Sequence, residues 1–465
     1  MKYLIITLAL LLTFGLKGQK NVTIELPESY ELSNIVLALT QYGQTDRWDV
    51  QKIPPYYDRV MEYFEPVKDH PLLDSVNYSR KKWEKFLGFR TDAYAFSFDD
   101  ENQLKRDFEF QSFSYPEFDK NIHLVNDFVE ESNFRKFYRD NRGFYDQIIA
   151  NYKEYYFVNR SKAYLEKIAG KTFEDQVKYK IVISPLVGGQ NCHRDIDSLT
   201  TADFPNISKE LILGDKNVDM TTRIIANHSL FTEMDHGYLN PISDTFEKQI
   251  EKYYNKTIWD KESGYMGIDS FNEYITWAVY DAFVKEEFPE YADAVTLPYH
   301  YVNVQRGFIA SEFFAKKVVE LMQKNKSGKI EDIYLPLLKW CKEQEGKVVQ
   351  PAVKNGDKTQ SISLADNAVQ IEFTQPMDEN IKTFQAYLTE TKDGVVQGNG
   401  ALIEIDITES KLNWKDNGTT AQFFLNTEFQ EFNLTLNYGN ILKPIRSGNQ
   451  ILLKPVTLYF KRAEQ

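Results

Sequence analysis

From Tyr30 to about Glu345 the apolar and aromatic positions recur every three or four residues, and from about Val353 onward they alternate with polar ones. The first spacing lays a stripe along one face of a helix; the second puts alternate side chains on one face of a strand. A short strand is expected at Asn21–Leu26. Helices are expected over Tyr30–Leu39, Tyr56–Phe64, Ser75–Leu87, Asn121–Glu131, Asn133–Asn141 and Tyr145–Ala169. The texture then changes. Tyr179–Ser184 reads as a strand ended by Pro185, Gly188-Gly189 as a loop, and Glu210–Leu213 as a second strand. A helix capped by Asp219 is expected to run to His236 and stop where Gly237 follows. Further helices are predicted at Phe271–Glu286, Gly307–Gln323 and Ile330–Glu345. Ala368–Phe373, Thr383–Thr389, Ala401–Thr408, Thr419–Asn426, Phe432–Tyr438 and Leu452–Phe460 read as strands, with Asp393-Gly and Asn417-Gly among the turns.

The expected fold class is multidomain α+β. A mainly helical domain with a small sheet spans residues 20–350, and a β-sandwich spans residues 362–465. The polar, Gly-containing stretch Lys354–Ser363 is the expected linker.

Composition narrows the function classes. A length of 465 residues, 42% of them hydrophobic, allows more than one domain with a substantial core. Net charge is −13 and no long basic run occurs, which argues against a nucleic-acid partner. Residues 1–18 have the form of a secretory signal: Lys2, an apolar run from Tyr3 to Leu16, and Gly18 before the cut. Export to the periplasm, cell surface or medium follows, with no membrane span after signal removal. An uncleaved N-terminal anchor is the other reading of this segment. Cys192 and Cys341 are the only cysteines, so there is no disulfide framework, and either one pair or two free thiols is compatible with the sequence.

The chemistry concentrates at Ile224–Pro241. An H-E-x-x-H helix grips zinc with two histidines one turn apart and uses the Glu between them as general base. Glu233 and His236 stand in that register, but Thr232 occupies the first histidine position. His228 cannot replace it, being about 12 Å along the axis and about 80° round from His236. Asp235, Asp269 and His228 could substitute only on a distorted helix. Downstream, Glu273 in Phe271–Phe283 sits where a following helix supplies a third ligand.

Ile181-Val-Ile-Ser-Pro-Leu186, Glu233, His236, Asn240-Pro241 and Glu273-Tyr-Ile275 together resemble a family of exported bacterial proteins of unknown function with a gluzincin-like peptidase domain. Tyr30-Glu-Leu32, Tyr56-Tyr57, Asp69-His-Pro-Leu72 and Arg306-Gly-Phe308 are similar to that family too. The resemblance covers about residues 22–345. It implies Glu233 as catalytic base, His236 and Glu273 as zinc ligands, and peptide hydrolysis as the reaction. Thr232 departs from the pattern, which implies an impaired or inactive enzyme, or a zinc site that has been lost. Val369–Asp378 resembles a segment of bacterial Ig-like modules, which act as spacers or interaction surfaces.

Set against this is a different class, a non-enzymatic envelope protein that binds a peptide or protein. The Tyr179–Ser184 strand is the expected sheet edge for such a ligand. Without a metal, His236 and Glu233 would be an ordinary core histidine and helix carboxylate. His70 and His123 read as structural or surface residues, and His193 as a surface residue or cleft lining. His300 reads as aromatic packing or as an oxyanion-stabilising donor. A third reading, carbohydrate binding by the C-terminal sandwich, would require coplanar exposed aromatics.

Overall fold

A computed structural model describes residues 22–111, 115–170, 178–358, 360–362, 368–406 and 412–462. The expected signal segment 1–18 lies outside the described residues, as does part of the expected linker. Helices dominate the N-terminal part and strands the C-terminal region, a mixed α+β architecture. The chain divides into two compact units, Met1–Tyr238 and Leu239–Gln465. The change from helices to strands near residue 353 therefore falls inside the second unit.

The first unit is arranged around the helix Glu28–Leu39, which is buried along almost its whole length. Leu32, Ile35, Val36 and Ala38 are fully buried, and so are polar residues that must find partners inside. Ser29 Oγ donates to the Phe96 carbonyl (2.7 Å) and Asn34 Nδ2 to the Tyr30 carbonyl (2.9 Å). Glu31 accepts from the Tyr56 hydroxyl, which lies 2.7 Å from the Tyr145 hydroxyl. Burial pushes the Glu31 carboxyl up to about 7, against the downward pull of its Tyr56 and Ser184 hydrogen bonds.

Two expected elements are divided. Tyr145–Ala169 is two helices, Arg142–Tyr155 and Val158–Ala169, broken where Phe157 turns left-handed (φ 49°). Ser75–Leu87 is not one helix: Pro71–Ser75 and Trp83–Asp92 flank a 3₁₀ turn at Arg80–Lys82. Glu210–Leu213 is helix instead of strand. Ser208 caps Lys209–Leu213 by accepting the Leu211 N–H (3.2 Å), and Gly214 ends it at φ 66°.

The sheet of the first unit runs in the order Val22–Glu25, Lys178–Val182, Thr200–Asp203, His193–Asp197. The first three strands are parallel and the last is antiparallel to its neighbour. Lys178–Val182 is thus an interior strand, which overturns the expectation of a free edge at Tyr179–Ser184. Of its two flanking strands, Val22–Glu25 falls within the expected Asn21–Leu26, whereas Thr200–Asp203 was not marked by any local pattern.

In the second unit, aromatic side chains fill the helical part: Trp259, Phe271, Tyr274 and Phe314 are fully buried, and the Phe314 ring touches the other three. The helix Ala292–Arg306 also contributes Leu297, Tyr301 and Val304 to a core shared with Ile441 and Leu452 of the strand-rich region. Arg446 forks onto Glu312 of the helix Ser311–Lys324 (Nε–Oε2 2.8 Å, Nη2–Oε1 2.6 Å). Burial alone would raise the Glu312 carboxyl, but the Arg446 hydrogen bonds and charge, with Lys316, hold it at about 2. The strands form a six-strand sheet centred on Thr383–Lys392, Glu431–Leu436 and Val456–Arg462, and a three-strand sheet of Asn413–Lys415, Thr420–Phe424 and Ala368–Glu372, among the described residues. Val369, Ile371 and Phe423 from one sheet meet Phe384, Leu434 and Phe460 from the other in one apolar core.

Two outcomes follow from these buried charges. Glu312→Ala leaves the half-buried Arg446 without its two-pronged partner and is expected to destabilise the protein by about 1–3 kcal/mol in urea denaturation. Glu31 ionises at a lower pH when unfolded than when folded, so the native state binds the extra proton and stability falls as pH rises from 4.5 to about 7. Glu31→Gln is expected to abolish that fall, leaving the variant more stable than the natural protein at pH 8; parallel curves for the two would contradict it.

Candidate functional site

The motif helix runs from Met220 to Thr245, through Gly237 and Pro241, and does not stop at Gly237 as its sequence suggested. Glu233, His236 and Gly237 are half-buried, whereas Phe231, Thr232, Met234 and Asp235 are buried. The expected base and the expected histidine ligand therefore share one accessible face. Glu273 lies in the second unit, half-buried in the first turns of the helix Asp269–Glu287.

At the position of the missing histidine, the Thr232 hydroxyl donates back into its own helix. It reaches the carbonyls of His228 (3.0 Å) and Ser229 (3.3 Å). This is the usual fate of a mid-helix threonine hydroxyl, and a neutral hydroxyl is a poor zinc donor in any case. Position 232 thus offers no ligand, and the donor set of the motif helix does not fit the zinc that the family resemblance implies.

Beside this helix stands a histidine whose surroundings the sequence did not reveal. His193 begins the antiparallel edge strand and lies directly opposite Asp203 in the ladder. Its Nδ1 is 2.7 Å from Asp203 Oδ1, and its Nε2 is 3.3 Å from Asp195 Oδ1. The ring packs over Gly237: a Cβ added there would meet His193 Cε1 at 3.1 Å. Burial drives the Asp203 carboxyl well above the ordinary range, and the neighbouring Glu233 and Asp235 charges push it further. Asp195, more exposed, is held low chiefly by its hydrogen bond to His193. Asp203 is therefore pushed toward its protonated form where it faces His193, with Glu233 and Asp235 as its acidic neighbours. Only the Asp203 and Asp195 spacing about His193 could have hinted at this, and that spacing has no meaning until the strand register is known.

The outward carbonyls of the edge strand are already engaged. The Asp195 carbonyl accepts the Gln111 N–H (3.0 Å), and the His193 carbonyl accepts from Arg194 Nη1 (3.0 Å). Strand addition along this edge would have to displace both.

Among the described residues, one trio of metal-ligand type converges: His70, Asp127 and Glu131. His70 Nε2 lies 3.3 Å from Asp127 and 4.0 Å from Glu131. However, His70 Nδ1 accepts the Leu72 N–H (3.1 Å), capping the helix Pro71–Ser75. In the neutral ring the proton must then sit on Nε2, the atom facing the carboxylates. A metal-bound histidine donates through its other nitrogen, so this trio is a helix cap facing two acids.

His300 is neither an exposed oxyanion donor nor an aromatic filler alone. Fully buried, it joins three helices through Asp281 (Nε2–Oδ2 2.8 Å) and Ser311 (Nδ1–Oγ 2.9 Å). The order Ser311–His300–Asp281 has the make-up of a nucleophilic triad, but Ser311 is only 3% exposed and has no room for an acyl group. Both cysteines are free and buried, and burial raises both thiols, which makes them poor nucleophiles and poor ligands.

No protein-family model and no curated protein matches the chain. Among solved structures, similarity is found to the S-layer protein rSbsC, at 11% identity and a TM-score of 0.17, covering 54% of this chain and 37% of that one. The structure of domains 1–6 of surface layer protein SbsC gives the same score at 11% identity over 52% of this chain and 33% of that one. The chain spans about a third of the length of these two structures. The score is too low for a shared fold.

The His193–Gly237 contact yields a graded expectation. Gly237→Ala should be near neutral, because the helix gains about 1 kcal/mol while the ring shifts by a few tenths of an ångström. Gly237→Val should force the ring away from Asp203 and cost about 1–3 kcal/mol in the same denaturation assay.

Proposed function

We propose that the chain is an exported homologue of gluzincin-like zinc metallopeptidases whose hydrolytic site is impaired or lost. The observation that carries this reading is the Thr232 hydroxyl, committed to the His228 and Ser229 carbonyls at the position where the family pattern has a zinc ligand. Hydrolysis by this design needs a bound water brought to a pKa near 7 by the metal, and an ion with too few ligands is not retained to do so. Glu233, His236 and Glu273 are what remains of the proposed constellation. The two C-terminal sheets are proposed to form an Ig-like module that presents a surface instead of a reaction.

The half-buried Glu233–His236 face favours a second reading, a non-enzymatic envelope protein that binds a peptide or protein. With the edge-strand carbonyls already taken, such a ligand would be held by side chains and not by strand pairing.

Zinc content after zinc exposure and desalting, paired with a casein-hydrolysis assay, tests the proposal. The natural protein is expected to retain little zinc, and Glu233→Gln should match its background hydrolysis. Thr232→His should retain close to one ion per chain. One tightly held zinc in the natural protein, with turnover abolished by Glu233→Gln, would overturn the reading in favour of a working peptidase.

A further inference from the structure

The outer face of the six-strand sheet carries a cleft of about 490 Å3, in the size range of small-molecule sites. Its floor is a row running across the strands. Tyr387, Thr435 and Thr457 stand directly opposite one another in the ladder, on three adjacent strands. The Thr435 and Thr457 hydroxyls are 2.9 Å apart. Tyr438, 51% exposed, forms one wall, and Thr389, Asn440 and Gln305 add hydroxyl and amide groups.

Two glycines hold the cleft open. Gly439, at φ 58°, lies so that a Cβ would meet the Tyr387 ring at 3.5 Å, and Gly400 lies so close to Thr389 that a Cβ would meet its hydroxyl at 2.3 Å. The Tyr387 hydroxyl is anchored by the Asn440 N–H (3.4 Å), and its ring packs on the core shared by Tyr301 and Ile441. Tyr387 is therefore a rigid platform, and Tyr438 an exposed one.

The lining excludes several ligand classes. Among the described residues no charged side chain borders the cleft, so a phosphate, sulfate or carboxylate would find no counter-charge there. The cleft lies on the face of the sheet, where backbone groups are already spent in the ladder, so an extended peptide has no main-chain partner. Too little apolar surface is present to anchor a lipid or a hydrophobic side chain. What remains is a ligand that is neutral, rich in hydroxyls and equipped with flat C–H faces to lie on tyrosine rings. We infer that this cleft binds a neutral oligosaccharide. The inference does not depend on the metallopeptidase reading.

Isothermal titration of the full chain with cellohexaose, maltohexaose and chitohexaose tests it. Saturable binding of at least one is expected, weakened at least tenfold by Tyr438→Ala and by Thr435→Val. Tyr438 is exposed and valine preserves the β-branched shape at position 435, so both variants should fold; unchanged circular dichroism checks this. Binding should also be insensitive to salt between 50 mM and 500 mM. The inference is overturned if none of the three sugars binds, if both variants bind as the natural protein does, or if the interaction weakens with salt as a charged ligand's would.

Discussion

A helix buried on every side must satisfy its polar side chains without water, and this constraint organises the first unit. Glu28–Leu39 carries Ser29, Glu31, Ser33 and Asn34 into the interior, where leaving any one unpaired would cost about 1–3 kcal/mol. The solution recruits distant chain. Ser29 reaches the backbone at Phe96, and Glu31 draws in Tyr56 and through it Tyr145. Packing the remaining helices and the four-strand sheet about this element fixes where each polar partner must stand. The same logic reappears in the second unit, where Glu312 tolerates burial only because Arg446 arrives as a two-pronged partner from the strand-rich region.

How much of this was readable in the chain depends on how local the cause was. Helices with a regular apolar stripe, such as Ile122–Ser132 and Glu331–Gln344, stand within a residue or two of their expected limits. The C-terminal strands, announced by alternation and by Asp393-Gly394 and Asn417-Gly418 turns at positive φ, lie where expected, although Thr383–Lys392 runs three residues further and Val456–Arg462 starts four residues later than the alternation suggested. The break at Phe157 carries no glycine or proline and is set by aromatic packing, with Tyr152 and Tyr156 stacked at 4.4 Å. The strands His193–Asp197 and Thr200–Asp203 are polar and short, so no periodicity marked them.

The site divides in the same way. The register of Glu233 and His236 on one helix face follows from helical geometry and was legible. The fate of the Thr232 hydroxyl was only half legible: its poverty as a ligand is chemistry, but its engagement with His228 and Ser229 is conformation. The neighbourhood of His193 was not legible at all, because Asp203 and Gly237 reach it through a strand pairing and a helix approach that no short window contains.

The row Leu402, Tyr387, Thr435, Thr457 runs perpendicular to the strands. Across the strands, neighbouring side chains repeat at the inter-strand distance of about 4.8 Å; along any one strand, side chains on the same face repeat only about every 6.8 Å. The sheet is therefore a ruler with two different graduations at right angles. A polymer laid over it meets evenly spaced hydroxyls only when its own repeat matches the finer scale and its axis runs perpendicular to the strands. Orientation is thus written into the backbone ladder itself, before any side chain is chosen.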